Sequence, residues 1–286
     1  KIENLSYDKI IDKLNDLDGF LCSNCEEGLP KYLQWYYGPQ NRFLASLTFN
    51  GFQKTKLFDY SEFIIAHQNV TESRNQQKRT ENSIIKRKEA VNIFSLNTNF
   101  KKGNFRYGTE SIYNYVGSTS NYEQGGLGST RYPANGSETF SSAIYINYMK
   151  NFNDKLTLET GLRHTFSYLK ADFDTILRSS ITGLESPIIE SNWPILSGNL
   201  KITYHPSSSW KISGVLAKGF HSPNVDDVTK VFVKGDNITV PNINLQPEIG
   251  YSKEISISKY SDLGMIYFTG FHTQIKNAIL KDSTKI

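Results

Sequence analysis

Lys155-Leu156-Thr157-Leu158-Glu159-Thr160-Gly161-Leu162-Arg163-His164-Thr165-Phe166-Ser167-Tyr168 decides the fold, because its side chains alternate between two chemistries along its whole length. Leu156, Leu158, Thr160, Leu162, His164, Phe166 and Tyr168 fall on one face. Lys155, Thr157, Glu159, Gly161, Arg163, Thr165 and Ser167 fall on the other. A period of two is the signature of an extended strand with one oily and one wet side. Phe94, Leu96, Thr98 and Phe100 against Ser95, Asn97 and Asn99 repeat the pattern. So do Leu200, Ile202 and Tyr204 against Asn199, Lys201 and Thr203, and Ile255 and Ile257 against Glu254, Ser256 and Ser258. About ten such segments recur from Arg42 to the end.

A soluble sandwich also alternates, so the connections must separate the two architectures. Short turns fall at Lys101-Lys102-Gly103-Asn104, Asn151-Phe152-Asn153-Asp154, Pro206-Ser207-Ser208-Ser209 and Ser261-Asp262. Long polar connections are expected from Asn69 to Ala90, Gly117 to Thr139, Lys170 to Pro194 and His221 to Ile249. Compact soluble domains rarely tolerate successive long loops, whereas an outer-membrane barrel has tight turns on one side and large loops on the other. Phe100, Phe105, Tyr148, Phe152, Tyr204, Trp210 and Tyr260 bracket the short turns, as an interfacial aromatic girdle requires. A tilted strand of about ten residues covers roughly 25 Å, the height of a barrel's apolar band. The expected fold is therefore all-β: an antiparallel transmembrane β-barrel wall of about ten strands, part of a larger barrel.

Composition agrees. Aromatic residues make up 13% of the chain, 17 of them Tyr, while the mean hydropathy is -0.46. No run of about 18 apolar residues exists, which removes transmembrane helices and leaves strands untouched. The net charge of +4 comes from 32 basic and 28 acidic residues spread along the chain. That spread gives no cationic stripe for nucleic acid, and Lys86, Arg87 and Lys88 read as a solvated loop.

Residues 1–42 have another texture and are expected to form an extracellular loop region. Tyr7, Ile10, Ile11, Leu14 and Leu17 recur there at the spacing of a short amphipathic helix; residues 43–286 form the wall. Cys22 and Cys25 cannot assemble a four-thiolate zinc site with no second pair downstream. They form a local disulfide in an oxidising compartment or remain two thiols. The chain opens at Lys1-Ile2-Glu3 with no initiator Met or export signal and stops at Lys285-Ile286, so both ends read as cut.

Ala217-Lys218-Gly219-Phe220-His221-Ser222-Pro223, then Pro241-Asn242-Ile243-Asn244-Leu245-Gln246-Pro247-Glu248, resembles a box of TonB-dependent receptors. In that family a Gly-Phe-Arg-Ala-Pro-like turn leads to an Asn-Pro-Asn-Leu-Lys-Pro-Glu-like one. His221, Ser222, Ile243 and Gln246 depart from the usual residues. Trp35-Tyr36-Tyr37-Gly38-Pro39-Gln40-Asn41-Arg42, Gln68-Asn69-Val70-Thr71-Glu72-Ser73-Arg74 and Tyr107-Gly108-Thr109-Glu110 resemble segments of such receptors from a Bacteroidetes-like branch. The resemblance implies a 22-stranded barrel with an N-terminal plug, absent from this sequence, and energy delivered through TonB. It also implies residence in outer-membrane lipid and import of a scarce, large nutrient such as an iron chelate or siderophore, haem or a corrinoid. The alternative is a passive porin-like barrel or a surface adhesin.

The box residues Gly219, Phe220, His221, Ser222, Pro223, Asn242, Asn244, Leu245, Pro247 and Glu248 are expected to be structural. Pro223 removes a ladder donor and biases Ser222 toward extended backbone where a strand leaves the sheet, and Pro247 does the same at re-entry. Polar alternate positions place Glu159, Arg163, Asn199 and Lys201 toward the lumen. Of five histidines, His67 and His221 are candidate ligand contacts. None lies between Pro223 and Pro241, where haem receptors of the family tend to carry an axial one. No nucleophile elbow, zincin helix or phosphate loop is present, so neither catalysis nor a resident cofactor or metal is expected. Asp226-Asp227 reads as solvated loop acids rather than an acid/base pair.

Overall fold

The strands follow from the turns. Gly103 takes a left-handed φ of 53° and Gly264 one of 143°, a backbone that side chains with a Cβ resist. The Asn153 side chain accepts hydrogen bonds from the Lys155 and Leu156 amides at 2.9 Å, closing another reversal. The computed structural model describes residues 29–173, 188–229, 232–234, 237–239 and 241–280. The expected helix around Tyr7–Leu17 and the Cys22, Cys25 pair lie outside them.

Strands β1 (Tyr32–Tyr37), β2 (Asn41–Gly51), β3 (Tyr60–Lys78), β4 (Ile85–Lys102), β5 (Phe105–Tyr122), β6 (Ser137–Asn153), β7 (Leu156–Asp172), β8 (Ile188–Tyr204) and β9 (Trp210–His221) come first. A short helix α1 (Val225–Thr229), a small hairpin β10 (Phe232–Lys234) and β11 (Asn237–Thr239), and strands β12 (Glu248–Ser261) and β13 (Gly264–Lys276) follow. One antiparallel sheet of 11 strands runs β1-β3-β4-β5-β6-β7-β8-β9-β12-β13, with β2 beside β3. Strands β1 and β2 share that edge: Tyr37 faces Arg74 and Asn41 faces Thr71. Gly38-Pro39-Gln40 thus opposes Glu72-Ser73, which makes a one-residue bulge in a single wall position. Pro39 tolerates the break because it has no amide to lose.

The burial pattern inverts that of a soluble protein. On β7, Leu162 is 57% exposed while its neighbour Thr165 on the opposite face is 2% exposed. Ile144 at 63% and Leu196 at 53% extend the exposed apolar face across β6 and β8. Among the described residues the other sheet is the two-stranded β10–β11 hairpin, too small to cover this face, so the band has hydrocarbon as its natural solvent. Below it, rings meet at the tight-turn end: Phe105 with Tyr148 at 4.8 Å and Phe100 with Tyr107 at 5.5 Å. Lys259 sits 4.7 Å from the Trp210 ring centroid and Lys150 5.1 Å from that of Phe152, cations placed over rings at the level of headgroups.

The long connections are shorter than expected. Strand β3 runs to Lys78 and β4 starts at Ile85, β5 runs to Tyr122 and β7 to Asp172, while β8 starts at Ile188. Most of Asn69–Ala90 is therefore ladder, and the expected solvated loop Lys86, Arg87 and Lys88 is part of β4. Above the apolar band both faces of β3, β4 and β5 are largely polar, so alternation disappears there while backbone pairing continues. The expected boundary at residue 42 moves likewise, since β1 and the start of β2 precede it.

Candidate functional site: the inner face and the mouth

Asn99, Gly108, Tyr145, Arg163 and Ser197 stand on one rung across β4 to β8, each paired directly with the next. Tyr145 lies across β5 and donates to the Asn99 side chain and, at 3.1 Å, to the Thr98 carbonyl. Only an empty position permits that. A Cβ on Gly108 would meet the Thr98 carbonyl oxygen at 1.9 Å and the Tyr145 hydroxyl at 2.7 Å. Gly161 does the same for Asn147 and Asn199, whose side-chain oxygens would stand 2.4 and 2.7 Å from its Cβ. Side chains reaching over an intervening strand require a sheet that curls toward this face.

Around this rung the charges are paired. Arg163 holds Glu110, two strands away, and donates to Thr165 at 3.1 Å. Lys201 meets Glu159 at 2.9 Å, and Asn99 donates to Glu62 at 2.8 Å. These groups are roughly one-third exposed, so each ion pair contributes at most about 1 kcal/mol and acts mainly to fix position. Asn99, Glu110, Tyr145, Arg163, Asn199 and Lys218 help line a cavity of about 590 Å³ that spans β3 to β9.

At the long-loop end the inner face turns apolar. Leu169, Ala171, Phe173, Ile189, Trp193, Ile195, Val225 and Val228 form a buried cluster, with Tyr132, Phe220, Leu245 and Ile249 packed against it. The ladder between β8 and β9 stops at Gly198 and Lys218. Above this point β8 has no ladder partner on that side among the described residues, which is where Pro194, lacking an amide donor, is tolerated. Chain from the box packs there instead. The Trp193 indole donates to the Leu245 carbonyl at 3.2 Å, Ser222 donates to Ser167 at 3.1 Å, and Pro223 and Pro247 are buried. Asn242 accepts the Asn244 amide at 3.0 Å in a local turn. The open side of Gly219 has nothing within 4 Å.

Asp226 and Asp227 belong to α1 rather than to a loop. Asn224 and Asp227 exchange reciprocal bonds of 3.0 Å that cap its first turn. Asp226 also faces Arg131 at 3.8 Å, linking this segment to the 123–136 connection. His221 pairs with Glu248 at 3.2 Å and is 55% exposed on its side chain. His67 is on the face of Phe63 and Ile65 and stacks on Phe94 at 4.4 Å, so the structure places it on the lipid side, away from the cavity. Tyr145, Glu110, Gly108 and Trp193 were not singled out as site residues. The first three join the site through contacts that cross an intervening strand, and Trp193 through the box, which alternation along one strand does not reveal.

An inverted, curled antiparallel sheet with a polar interior defines the wall of a transmembrane β-barrel. The chain belongs to the family described as TonB dependent receptor-like, beta-barrel, whose model matches residues 26–286; these are outer-membrane receptors rather than enzymes. Over 77 residues it is 32% identical to the hemoglobin and hemoglobin-haptoglobin-binding protein A of Haemophilus influenzae, covering 27% of this chain and 7% of that protein. The fold is similar to that of the copper transporter OprC, with a TM-score of 0.63 at 12% identity over 84% of this chain and 40% of that one. It is also similar to the Serratia marcescens hemophore receptor HasR, with a TM-score of 0.63 at 13% identity over 85% of this chain and 41% of that one. The chain thus spans about two-fifths of the solved structures it resembles.

Proposed function

We propose that this wall belongs to a receptor that imports a scarce, large nutrient using energy delivered through TonB. The observation that carries the reading is the inner face, where Arg163 and Lys201 are paired with carboxylates one or two strands away around one cavity reaching from β3 to β9. A wall of this kind presents fixed hydrogen-bonding groups to an occupant such as a plug, and Glu159, Arg163, Asn199 and Lys201 are the residues proposed to meet it. Ligand contacts are assigned to the mouth. There the exposed His221, held by Glu248, is the candidate that remains after His67 is placed on the outer side. Siderophore, haem and corrinoid are the ligand classes proposed, and the relative that binds hemoglobin supports haem among them.

The test is uptake by cells expressing the full-length receptor, offered a ferric siderophore, haem and a corrinoid in turn. Import of at least one should stop when TonB is deleted. Uptake unchanged by that deletion would identify a passive pore.

A further inference from the structure

A second cavity, of about 450 Å³, opens on the other side of the wall. Most of its lining falls on two rungs, with Gly38, Pro39 and Arg87 completing it. Tyr36, Asn75, Lys86 and Asn121 are successive partners, as are Ser73, Lys88 and Thr119. β4 pairs with both neighbours without a register shift, so Lys86 and Lys88 share the face of Phe94 and Leu96. They belong to the lipid-facing surface, above the apolar band.

Two polar side chains here are underused, whereas the Ser73 and Thr119 hydroxyls donate to the Pro39 and Lys88 carbonyls. Asn75 is 7% exposed, yet its side-chain amide has no hydrogen-bond partner among the described residues, and its nitrogen would lie 2.8 Å from a Cβ on Gly38. The bulge at Gly38-Pro39 therefore leaves the space into which this amide points. Lys88 has no ion-pair partner among the described residues, whereas Lys86 shares Glu123 at 2.7 Å.

We propose that this cavity docks the phosphorylated sugar headgroup of an outer-leaflet glycolipid. An unpaired ammonium, a second one nearby, two amides, two hydroxyls and the Tyr36 ring suit a ligand that is both anionic and rich in hydroxyls. Its height argues for a sugar headgroup. Lys88 stands six residues above Phe94, roughly 15 Å along the membrane normal for a tilted strand. A phospholipid headgroup zone adds only about 6 Å per side and stops short of it. The proposal concerns the outer surface and is independent of the import reading.

The experiment uses the full-length receptor, purified folded from outer membranes, with retained phosphorylated glycolipid quantified by mass spectrometry. Binding is also measured to vesicles with and without that glycolipid. K88Q should lower retention about fivefold, and K86Q with K88Q about 25-fold, at roughly a factor of five per lysine near an anionic surface. K150Q, at the tight-turn end, should leave it unchanged. Heat-modifiable gel mobility shows that each variant is folded. Retention by the folded double variant equal to that of the parent would overturn the proposal. So would a soluble sugar phosphate competing as well as the intact glycolipid, because the site would then recognise a free solute.

Discussion

Leu162 and Arg163 are adjacent in sequence and opposite in environment. Leu162, near the middle of β7, is exposed to what lies outside the sheet, so Leu162→Arg should cost about 2–4 kcal/mol on folding into lipid. Thr157→Arg on the inner face should cost much less. Equal losses, measured by urea titration in lipid vesicles, would count against the orientation. Gly108 offers a sharper steric case. A methyl there meets a backbone oxygen at 1.9 Å, and backbone cannot rotate away as a side chain can. Gly108→Ala should destabilise the wall by about 1–3 kcal/mol, with Tyr145→Phe costing about 1 kcal/mol through the lost hydroxyl bonds. If Gly108→Ala unfolds at the parent's urea midpoint, Tyr145 does not lie across β5 as described. The faces of Thr157, Leu162 and Arg163 were legible from parity alone. Their partners were not, because the Arg163–Glu110 contact depends on register carried through an intervening strand.

The tight turns are the elements that sequence reading placed most accurately, since glycine, asparagine and serine there act within a few residues. The connection between β2 and β3 adds a titratable latch. The Lys102 ammonium, 2.8 Å from Asp59, holds that carboxyl below its ordinary range, mainly by hydrogen bonding and against the opposing effect of desolvation. A depressed folded-state value means the latch stabilises above the unfolded carboxylate pKa and is lost as pH falls through the folded one. Asp59→Asn should therefore remove part of the acid-side decline in stability and leave the alkaline side unchanged, as read from urea midpoints between pH 3 and pH 6. An identical acid-side slope in parent and variant would show that the latch contributes nothing. The long connections were read less well. In β3, β4 and β5 the upper residues are largely polar on both faces, which in sequence looks like loop. The ladder there is held by backbone bonds that any side chain permits.

Across the whole molecule, the mouth is held by apolar packing rather than by charge. Strands β8 and β9 separate above Gly198, and Leu245 from the box packs there with Phe220 against the buried cluster of Trp193 and Ile195. Trp193→Ala should cost about 3–5 kcal/mol, as for other buried aromatic residues, and should loosen the box from Gly219 to Glu248. Hydrogen exchange in that segment should rise while the β3–β4 hairpin stays protected. Uniform exchange across both would mean that the box is not a separate packing unit. The sequence box was recognisable, and the two prolines explained its departure from the sheet. Its role as filler between two wall strands became visible only with the ladder's end.

The central claim is that the apolar face is outside and the polar face inside. Nitroxide-lipid quenching of single-cysteine fluorescent labels tests it most directly, in the full-length receptor carrying Cys22→Ser and Cys25→Ser. Labels at positions 144, 162 and 196 should be strongly quenched, and labels at 163 and 201 should be spared. Equal quenching at the two sets, or stronger quenching at 163 and 201, would contradict the account.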